Sequence, residues 1–220
     1  MQPPESDITS NYLDAFATFA KGSGGKVEQF SGIICIRSPI DFLMFNMAFV
    51  QDQAVINHEV LKQIQEFYRE IQVKWCFTVP PDMTSLFEKV MQHVTISSWR
   101  RSPEMILPRE NAKLRALPAD LQVKPVRNVD ELRTWAHVGS VGLEMGDPNY
   151  FGRMASPEGL ASSAITYYVG WNSGRAVATS ASYVSRGIAG VYAVSTVPEV
   201  RGRGYGEAMS AVAVQDGFSK

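Results

Sequence analysis

The sequence predicts an α+β protein built around mixed sheets. Apolar residues recur at helical spacing between residues 59 and 71, next to short apolar runs that are typical of strands. Farther along, two strand-like runs flank the tight turn Asn172-Ser173-Gly174. A third run is followed by a glycine-rich turn and a helix-forming segment. Helical and extended segments therefore alternate along the chain.

Composition limits the class of protein. The chain has 220 residues, of which 45% are hydrophobic, so one large or two small packed domains are expected. The formal net charge of −1 argues against a nucleic-acid-binding protein, which usually has a strong basic bias. Cys35 and Cys76 lie in apolar runs without metal-ligand spacing, so we expect free thiols and no metal site. The first residues do not resemble a signal peptide and no apolar run is long enough for a bilayer, so the expected location is cytoplasmic.

Residues 1–115 are expected to form a first unit. Its expected elements, in chain order, are a helix over 8–20 ended by the glycines of 22–25, strands over 27–37 and 41–50, a helix over 59–71, a strand over 74–79, a helix from an Asp82 N-cap to about His93, and a strand or strand pair over 94–107.

The polar, proline-bracketed segment 108–120 predicts a linker, and residues 121–220 are expected to form a second unit. Its expected elements are a strand over 121–127, a helix capped by Asn128, a glycine-rich loop over 139–152, a short helical start at 156–160, the hairpin strands 164–171 and 175–184, and a strand over 188–197 followed by the glycine-rich turn.

The most informative segment follows that last strand. Arg201-Gly-Arg-Gly-Tyr-Gly206 comes shortly after Pro198 and opens onto a helix-forming run. The free amides and the dipole of a first helical turn bind anions, and glycine lets the backbone approach a phosphate. The Walker pattern is excluded because no Lys-Ser/Thr follows the glycines. The dinucleotide fingerprint is excluded because the spacing is Gly-x-Gly-x-Gly and little chain follows it.

The pattern Arg-x-x-Gly-x-Gly after a strand and a proline resembles the acyl-CoA-binding segment of the GNAT superfamily of N-acyltransferases. The likeness is closest over residues 191–214. It implies acetyl-CoA as cosubstrate, with the loop amides on the pyrophosphate and the preceding strand along the pantetheine arm. The residues it assigns to the cosubstrate are Val194, Ser195, Thr196, Val197, Arg201, Gly202, Arg203, Gly204, Tyr205 and Gly206.

The resemblance also implies a GNAT-like fold for residues 121–220. The first unit is then either a degenerate, cofactor-free GNAT-like half, as in tandem GNAT proteins, or an unrelated α+β cap domain. A complete GNAT domain has further strands after its cofactor helix, so the second unit is expected to be incomplete on that side. The remaining strands would belong to a longer chain, to the first unit, or to a partner, as in a homodimer.

Acyl transfer to an amine needs a held thioester, a deprotonated amine and a stabilised oxyanion. The strand before the loop contains no acidic residue to act as general base, so Tyr192 and Ser195 are the candidates to position a water. For each of them, a purely packed strand residue is the alternative. Glu144, Asp147 and Tyr150, in the glycine-rich loop, are the candidates to bind the acceptor.

The sequence thus predicts an acetyl-CoA-dependent N-acetyltransferase that acts on a primary amine of a small molecule or a peptide. The alternative is a non-catalytic module that binds or senses an acyl-CoA or another nucleotide. The strand without an acidic residue and the incomplete second unit favour that alternative. Neither nucleic acid nor a membrane is expected as a partner.

Overall fold

The computed structural model describes residues 5–51, 56–91, 98, 100–101 and 105–220. Two compact units make up the chain. One joins the N-terminal residues up to Gly24 with Pro108–Lys220, and the other is Gly25–Leu107. The fold class is α+β, as predicted from the sequence.

The unit Gly25–Leu107 contains a four-stranded sheet in chain order: β1 (Lys26–Phe30), β2 (Ile33–Arg37), β3 (Met47–Val50) and β4 (Cys76–Thr78). The first two pairs are antiparallel and the pair β3–β4 is parallel. Helix α2 (His58–Arg69) connects these parallel strands, as a crossover must, and packs its apolar stripe into the core. The Asn57 side chain caps α2 by accepting a hydrogen bond from the Val60 amide at 3.0 Å. Helix α3 (Thr84–Val90) follows β4.

Several sequence predictions for this unit were wrong in detail. The single strand expected over 27–37 is a hairpin, because Ser31 (φ 46°) and Gly32 (φ 85°) form a tight turn with two left-handed residues. The strand expected over 41–50 begins only at Met47. Before it, the buried Asn46 side chain accepts from the Ser38 amide and donates to the Ile40 carbonyl, which holds that segment in a compact loop.

The helix expected to start at an Asp82 cap also differs. Asp82 lies inside a 3₁₀ turn, Pro81–Met83, and makes no capping hydrogen bond. Helix α3 ends at Val90, and His93 lies outside the described residues. Most of the strand expected over 94–107 also lies outside them, and the described residues 105–107 have no regular structure.

The C-terminal unit contains an antiparallel sheet in chain order: β5 (Gln122–Pro125), β6 (Ile165–Asn172), β7 (Arg175–Ser185) and β8 (Ile188–Thr196). The predicted hairpin and the predicted last strand are confirmed. Helix α4 (Val129–Gly142) begins as predicted, since the Asn128 side chain accepts from the Glu131 amide at 2.9 Å. Helix α5 (Tyr205–Ser219) follows the glycine-rich turn.

Helices cover both faces of this sheet. Consecutive strand residues point to opposite faces, and β6 shows this at Tyr167 and Tyr168. Tyr167 packs edge-on against Trp135 of α4, with ring centroids 4.8 Å apart, whereas Tyr168 joins the cluster that contains Met209 of α5. The sheet therefore lies between α4 on one side and α5 on the other.

Helix α1 (Glu5–Gly22) belongs to this C-terminal unit, although the sequence analysis placed it in the first. Its buried face, with Phe16 and Phe19, packs on β7 and β8, and Phe19 reaches Tyr167 on the α4 side of the sheet. Helical spacing reveals an apolar face but not the surface that this face meets, which explains the difference.

None of the helices in the described part of the chain combines the length and the apolar character that crossing a bilayer requires.

Candidate functional site

The turn between β8 and α5 has a backbone path that needs glycine. After a 3₁₀ turn at Pro198–Val200, Arg201 is extended (φ −60°, ψ 159°) and Gly202 has a left-handed φ of 79°. Gly204 (φ 80°, ψ 6°) then caps α5 in the left-handed region. A residue with a Cβ would be strained at both glycines, so these two are explained by the fold itself.

Gly206 is different, because it lies inside the first turn of α5. A Cβ added there would have its closest contact at 3.6 Å, with Thr196 Oγ1, which is an ordinary van der Waals distance. Glycine in a helix is less favourable than alanine by about 1 kcal/mol. Packing therefore does not require glycine at 206, and its presence favours the close approach of another group to this helix start.

The start of α5 also differs in its hydrogen bonds. Helices α2 and α4 each begin with an asparagine whose side chain takes a first-turn amide, whereas Gly204 has no side chain with which to cap α5. The first backbone bond of α5 runs from the Ala208 amide to the Gly204 carbonyl, at 3.0 Å. The amides of Tyr205, Gly206 and Glu207 have no acceptor among the residues that the structure describes. These three donors and the helix dipole are suited to an anion.

The start of α5 borders an open depression of about 430 Å³. It is lined by Gly142, Val194, Ser195, Thr196, Arg201, Gly202, Gly204, Tyr205 and Gly206. All the predicted cosubstrate residues except Val197 and Arg203 line it. Val197 is buried and donates its amide to the Val177 carbonyl at 2.9 Å, and Arg203 is exposed to solvent. Gly142, at the end of α4, also lines the depression and was not among the predicted residues.

The Tyr205 side chain anchors α5 through hydrogen bonds to residues far away in the sequence. Its ring is buried, and its hydroxyl donates to Asp120 Oδ2 at 2.6 Å and accepts from Asn172 Nδ2 at 3.0 Å. The hydrogen bond to Asp120 raises the pKa of Tyr205, so the phenol stays protonated at neutral pH. The Tyr205 hydroxyl is therefore engaged within the protein, and the backbone amide is the group that Tyr205 can offer to a ligand.

The Arg201 guanidinium is bound within the protein. Nε donates to the Thr196 carbonyl at 3.2 Å, Nη2 to the Gly142 carbonyl at 2.9 Å, and Nη1 to Glu144 Oε1 at 3.2 Å. Arg201 thus joins the end of β8 to the end of α4. Glu144, which the sequence analysis assigned to the acceptor, is the ion-pair partner of this arginine.

A β-bulge interrupts β8 just before the depression. Thr179 pairs with Ser195 and Ala181 with Tyr192, so Ala193 and Val194 together lie opposite a single residue of β7. Ala193 has a left-handed φ of 50°. Bulges leave a backbone group outside the ladder and are common beside active sites, and this bulge lies two residues before Thr196 at the wall of the depression.

The Thr179 side chain of β7 makes hydrogen bonds with the bulge and with Ser195. The Thr179 hydroxyl donates to the Ala193 carbonyl at 2.9 Å, and its oxygen lies 2.7 Å from Ser195 Oγ. A hydroxyl has a single proton. Because Thr179 donates its proton to the hydrogen bond with the Ala193 carbonyl, Ser195 must be the donor in its contact with Thr179. Only the lone pairs of Ser195 then remain for a bound water.

Tyr192 contacts α1 rather than the depression. Its hydroxyl donates to Asn11 Oδ1 at 3.2 Å, and its ring packs edge-on against Phe16 and Phe19 at 5.7 and 5.9 Å. The structure therefore gives this candidate catalytic residue a place in the packing of α1 on the sheet.

The other two acceptor candidates form a local turn. Asp147 Oδ1 accepts from the Asn149 amide at 2.8 Å, and the Asp147 carbonyl accepts from the Tyr150 amide at 3.1 Å. The Tyr150 ring packs edge-on against Phe151 at 5.3 Å. Neither residue lines the depression.

No protein-family model matches the chain, and no curated protein is significantly similar to it in sequence. Solved structures do resemble it. A GCN5-related N-acetyltransferase from Kribbella flavida matches 94% of this chain and 80% of its own, with 17% identity and a TM-score of 0.63. A Drosophila protein matches 86% of this chain and 61% of its own, with 13% identity and a TM-score of 0.50.

At these identities the likeness concerns the fold. The resemblance inferred from the glycine-rich turn and the similarity to the Kribbella flavida structure agree, although they rest on different observations. The chain therefore has the fold of the GNAT superfamily, that of the GCN5-related N-acetyltransferases.

Proposed function

We propose that this chain binds an acyl-CoA, with acetyl-CoA the expected cosubstrate, and transfers the acyl group to a primary amine of a small molecule or a peptide. The GNAT fold supports acyl transfer in general. The observation that carries the proposal is the set of three first-turn amides of α5 beside the open depression. They are suited to the diphosphate of coenzyme A.

The residues of β8 would hold the rest of the molecule. Bound acyl-CoA supplies a thioester, whose carbonyl carbon the amine attacks as the carbon–sulfur bond breaks. The backbone from Val194 to Thr196 lines the depression and can pair with an extended arm as a strand would. A backbone amide at the bulge can stabilise the developing oxyanion, because such donors are fixed before the reaction starts.

The described residues that line the depression include no acid, histidine or lysine that could take the proton of the amine. Ser195 can accept a hydrogen bond from a water, but a neutral hydroxyl is too weak a base to take the proton itself. Proton removal would therefore proceed through water. This same observation favours a second candidate function, a module that binds acyl-CoA without turnover.

We propose that the unit Gly25–Leu107 does not bind the cosubstrate. Helix α2 is the first long helix of that unit, and the Asn57 side chain already takes one of its first-turn amides. We also propose a cytoplasmic location. This is supported by the two free cysteines, of which Cys35 is buried, with a pKa raised by burial to about 12.

Thermal unfolding with and without acetyl-CoA tests the proposal first. A ligand that binds only the folded protein must raise the melting temperature. A rise that saturates with acetyl-CoA is expected, and no shift at millimolar ligand would contradict binding. Release of free thiol from acetyl-CoA with a panel of amines then separates the two candidates, since a binding module gives the thermal shift without thiol.

A further inference from the structure

We propose that Arg201 is a positioning residue for the acyl-CoA site, which acts by bracing backbone carbonyls rather than by binding phosphate. This inference rests on the proposed function. Its guanidinium directs its donors at two carbonyls and one carboxylate of the protein, at 2.9 to 3.2 Å. Three of its five N–H groups are thereby engaged within the protein, although Arg201 borders the depression.

The two carbonyls belong to the two walls of the depression. The Thr196 carbonyl is at the end of β8, and the Gly142 carbonyl is in the last turn of α4. Carbonyls at a helix C-terminus carry partial negative charge and need donors, and a charged donor binds them more strongly than a neutral one. Arg201 thus fixes the separation of α4 from β8 immediately before the amides of α5.

The third donor of the guanidinium, Nη1, binds the Glu144 carboxylate. The backbone conformation of Glu144 is unusual for a glutamate. Helix α4 ends in a Schellman motif, because the Glu144 amide donates to the Val141 carbonyl and the Met145 amide to the Ser140 carbonyl. Glu144 occupies the left-handed position of that motif with φ 54°, where glycine is usual. A carboxylate at the C-terminal end of a helix is also disfavoured by the helix dipole.

Two local preferences therefore oppose glutamate at 144. The carboxylate of Glu144 forms an ion pair with Arg201, with Oε1 3.2 Å from Nη1. The pair is exposed, with 44% of the Arg201 side chain and 65% of the Glu144 side chain accessible, so its contribution to overall stability is small. We infer that Glu144 orients the guanidinium rather than stabilising the fold.

Substitutions at 201 separate bracing from charge. Arg201→Gln is neutral but keeps an N–H donor near the position of Nε, next to the Thr196 carbonyl. Arg201→Lys keeps the charge but loses the planar fork. Calorimetric titration with coenzyme A should give a dissociation constant about tenfold weaker than that of the parent for both variants, because Gln loses the donor to the Gly142 carbonyl and Lys loses the planar fork that joins the two carbonyls. Parent-like binding by Arg201→Lys with weakened binding by Arg201→Gln would overturn the inference and make Arg201 a charge partner of the ligand.

Amide hydrogen exchange in the ligand-free protein tests the bracing without the cosubstrate. Glu144→Gly suits the left-handed backbone, so the melting temperature should hold or rise, while the hydrogen-bonded amides of Val197 and Ala208, on either side of the loop, exchange about threefold faster or more. Ser173→Gly is the matched control. It relieves the same kind of strain (φ 48°) in the β6–β7 turn and should leave exchange at Val197 and Ala208 unchanged.

The titration and the hydrogen-exchange experiment test the proposed function and the role of Arg201 separately. If the parent protein does not bind coenzyme A, the proposed function fails, and exchange at Val197 and Ala208 alone decides the role of Arg201. Faster exchange in Glu144→Gly and Arg201→Lys with an unchanged Ser173→Gly control supports bracing. Unchanged exchange in both variants overturns it.

Discussion

Gly142 and Ser195 lie so close together that no side chain fits between them. A Cβ at Gly142 would be 2.7 Å from Ser195 Oγ, 2.8 Å from its Cβ and 3.1 Å from the Thr196 amide nitrogen. The last turn of α4 therefore lies directly on the end of β8, at the wall of the proposed acyl-CoA site. The position of this wall depends on a glycine whose backbone is otherwise helical.

Gly142→Ala should separate α4 from β8. The added methyl group overlaps Ser195 and the adjacent backbone, so we expect a loss of about 1–3 kcal/mol in unfolding free energy and weaker coenzyme A binding. Gly139→Ala, one turn earlier, is the control, because its Cβ would contact Phe151 and Thr179 at an ordinary 3.8 Å. Urea unfolding should show the control as stable as the parent or more so. Equal stability of the two variants would contradict the close approach.

Gly206→Asp should keep the fold and lose the ligand. A Cβ fits at 206, and a carboxylate in the first turn of a helix is stabilising, by about 0.3–1 kcal/mol. The same carboxylate would repel a diphosphate at the amides of Tyr205 to Glu207. Thermal unfolding should therefore show a melting temperature no lower than that of Gly206→Asn, whose side chain has the same shape, while calorimetry shows weaker coenzyme A binding for Asp than for Asn. Equal affinities would place the diphosphate elsewhere.

Tyr192→Phe tests whether this tyrosine is catalytic or packed. The hydroxyl donates to the buried side-chain oxygen Oδ1 of Asn11 at 3.2 Å, so its removal should cost about 1 kcal/mol of stability. Because the ring contacts α1, we expect coenzyme A affinity and acyl transfer close to those of the parent. In a double-mutant cycle with Asn11→Ala, the two losses should not add. Full stability with lost transfer would instead make Tyr192 a catalytic residue.

The end of α5 should contribute to acid sensitivity. Burial alone would raise the pKa of Asp216, but hydrogen bonds from Ser182 at 2.5 Å and Lys220 at 2.9 Å outweigh it and hold the pKa below its usual range. A depressed folded-state pKa adds stability above the unfolded value of about 3.9 and loses it as pH falls toward the folded value. Urea unfolding between pH 6 and about 3 should show a shallower acid loss for Asp216→Asn than for the parent. If the stability of Asp216→Asn and of the parent fell equally with pH, Asp216 would not contribute to acid sensitivity.

The sequence predicts the features of this protein that depend on local backbone chemistry. The turn at 202–204 was recognisable from its alternating glycines, which the structure shows in left-handed positions. The N-terminus of α4 was recognisable because asparagine is a strong capping residue. The β6–β7 hairpin followed from alternating residues around a glycine-containing turn.

Features that depend on contacts between distant residues were not predictable in this way. Arg201 meets Glu144 across 57 positions, and Tyr205 meets Asp120 across 85. The alternation of side chains along a strand indicates which residues share a side of the sheet with Tyr192. It does not indicate that α1 covers that side. The bulge at Ala193 has no glycine to mark it, and the hydroxyl that binds the Ala193 carbonyl comes from Thr179 on another strand.

The most direct test of the central claim is an NMR titration of the labelled protein with coenzyme A, in which the backbone amide signals of Gly204, Tyr205, Gly206 and Glu207 are followed. If the start of α5 binds the diphosphate, these signals should shift together and saturate, and 4′-phosphopantetheine, which lacks the diphosphate, should move them less. Saturable binding that leaves these four amides unmoved would contradict the account.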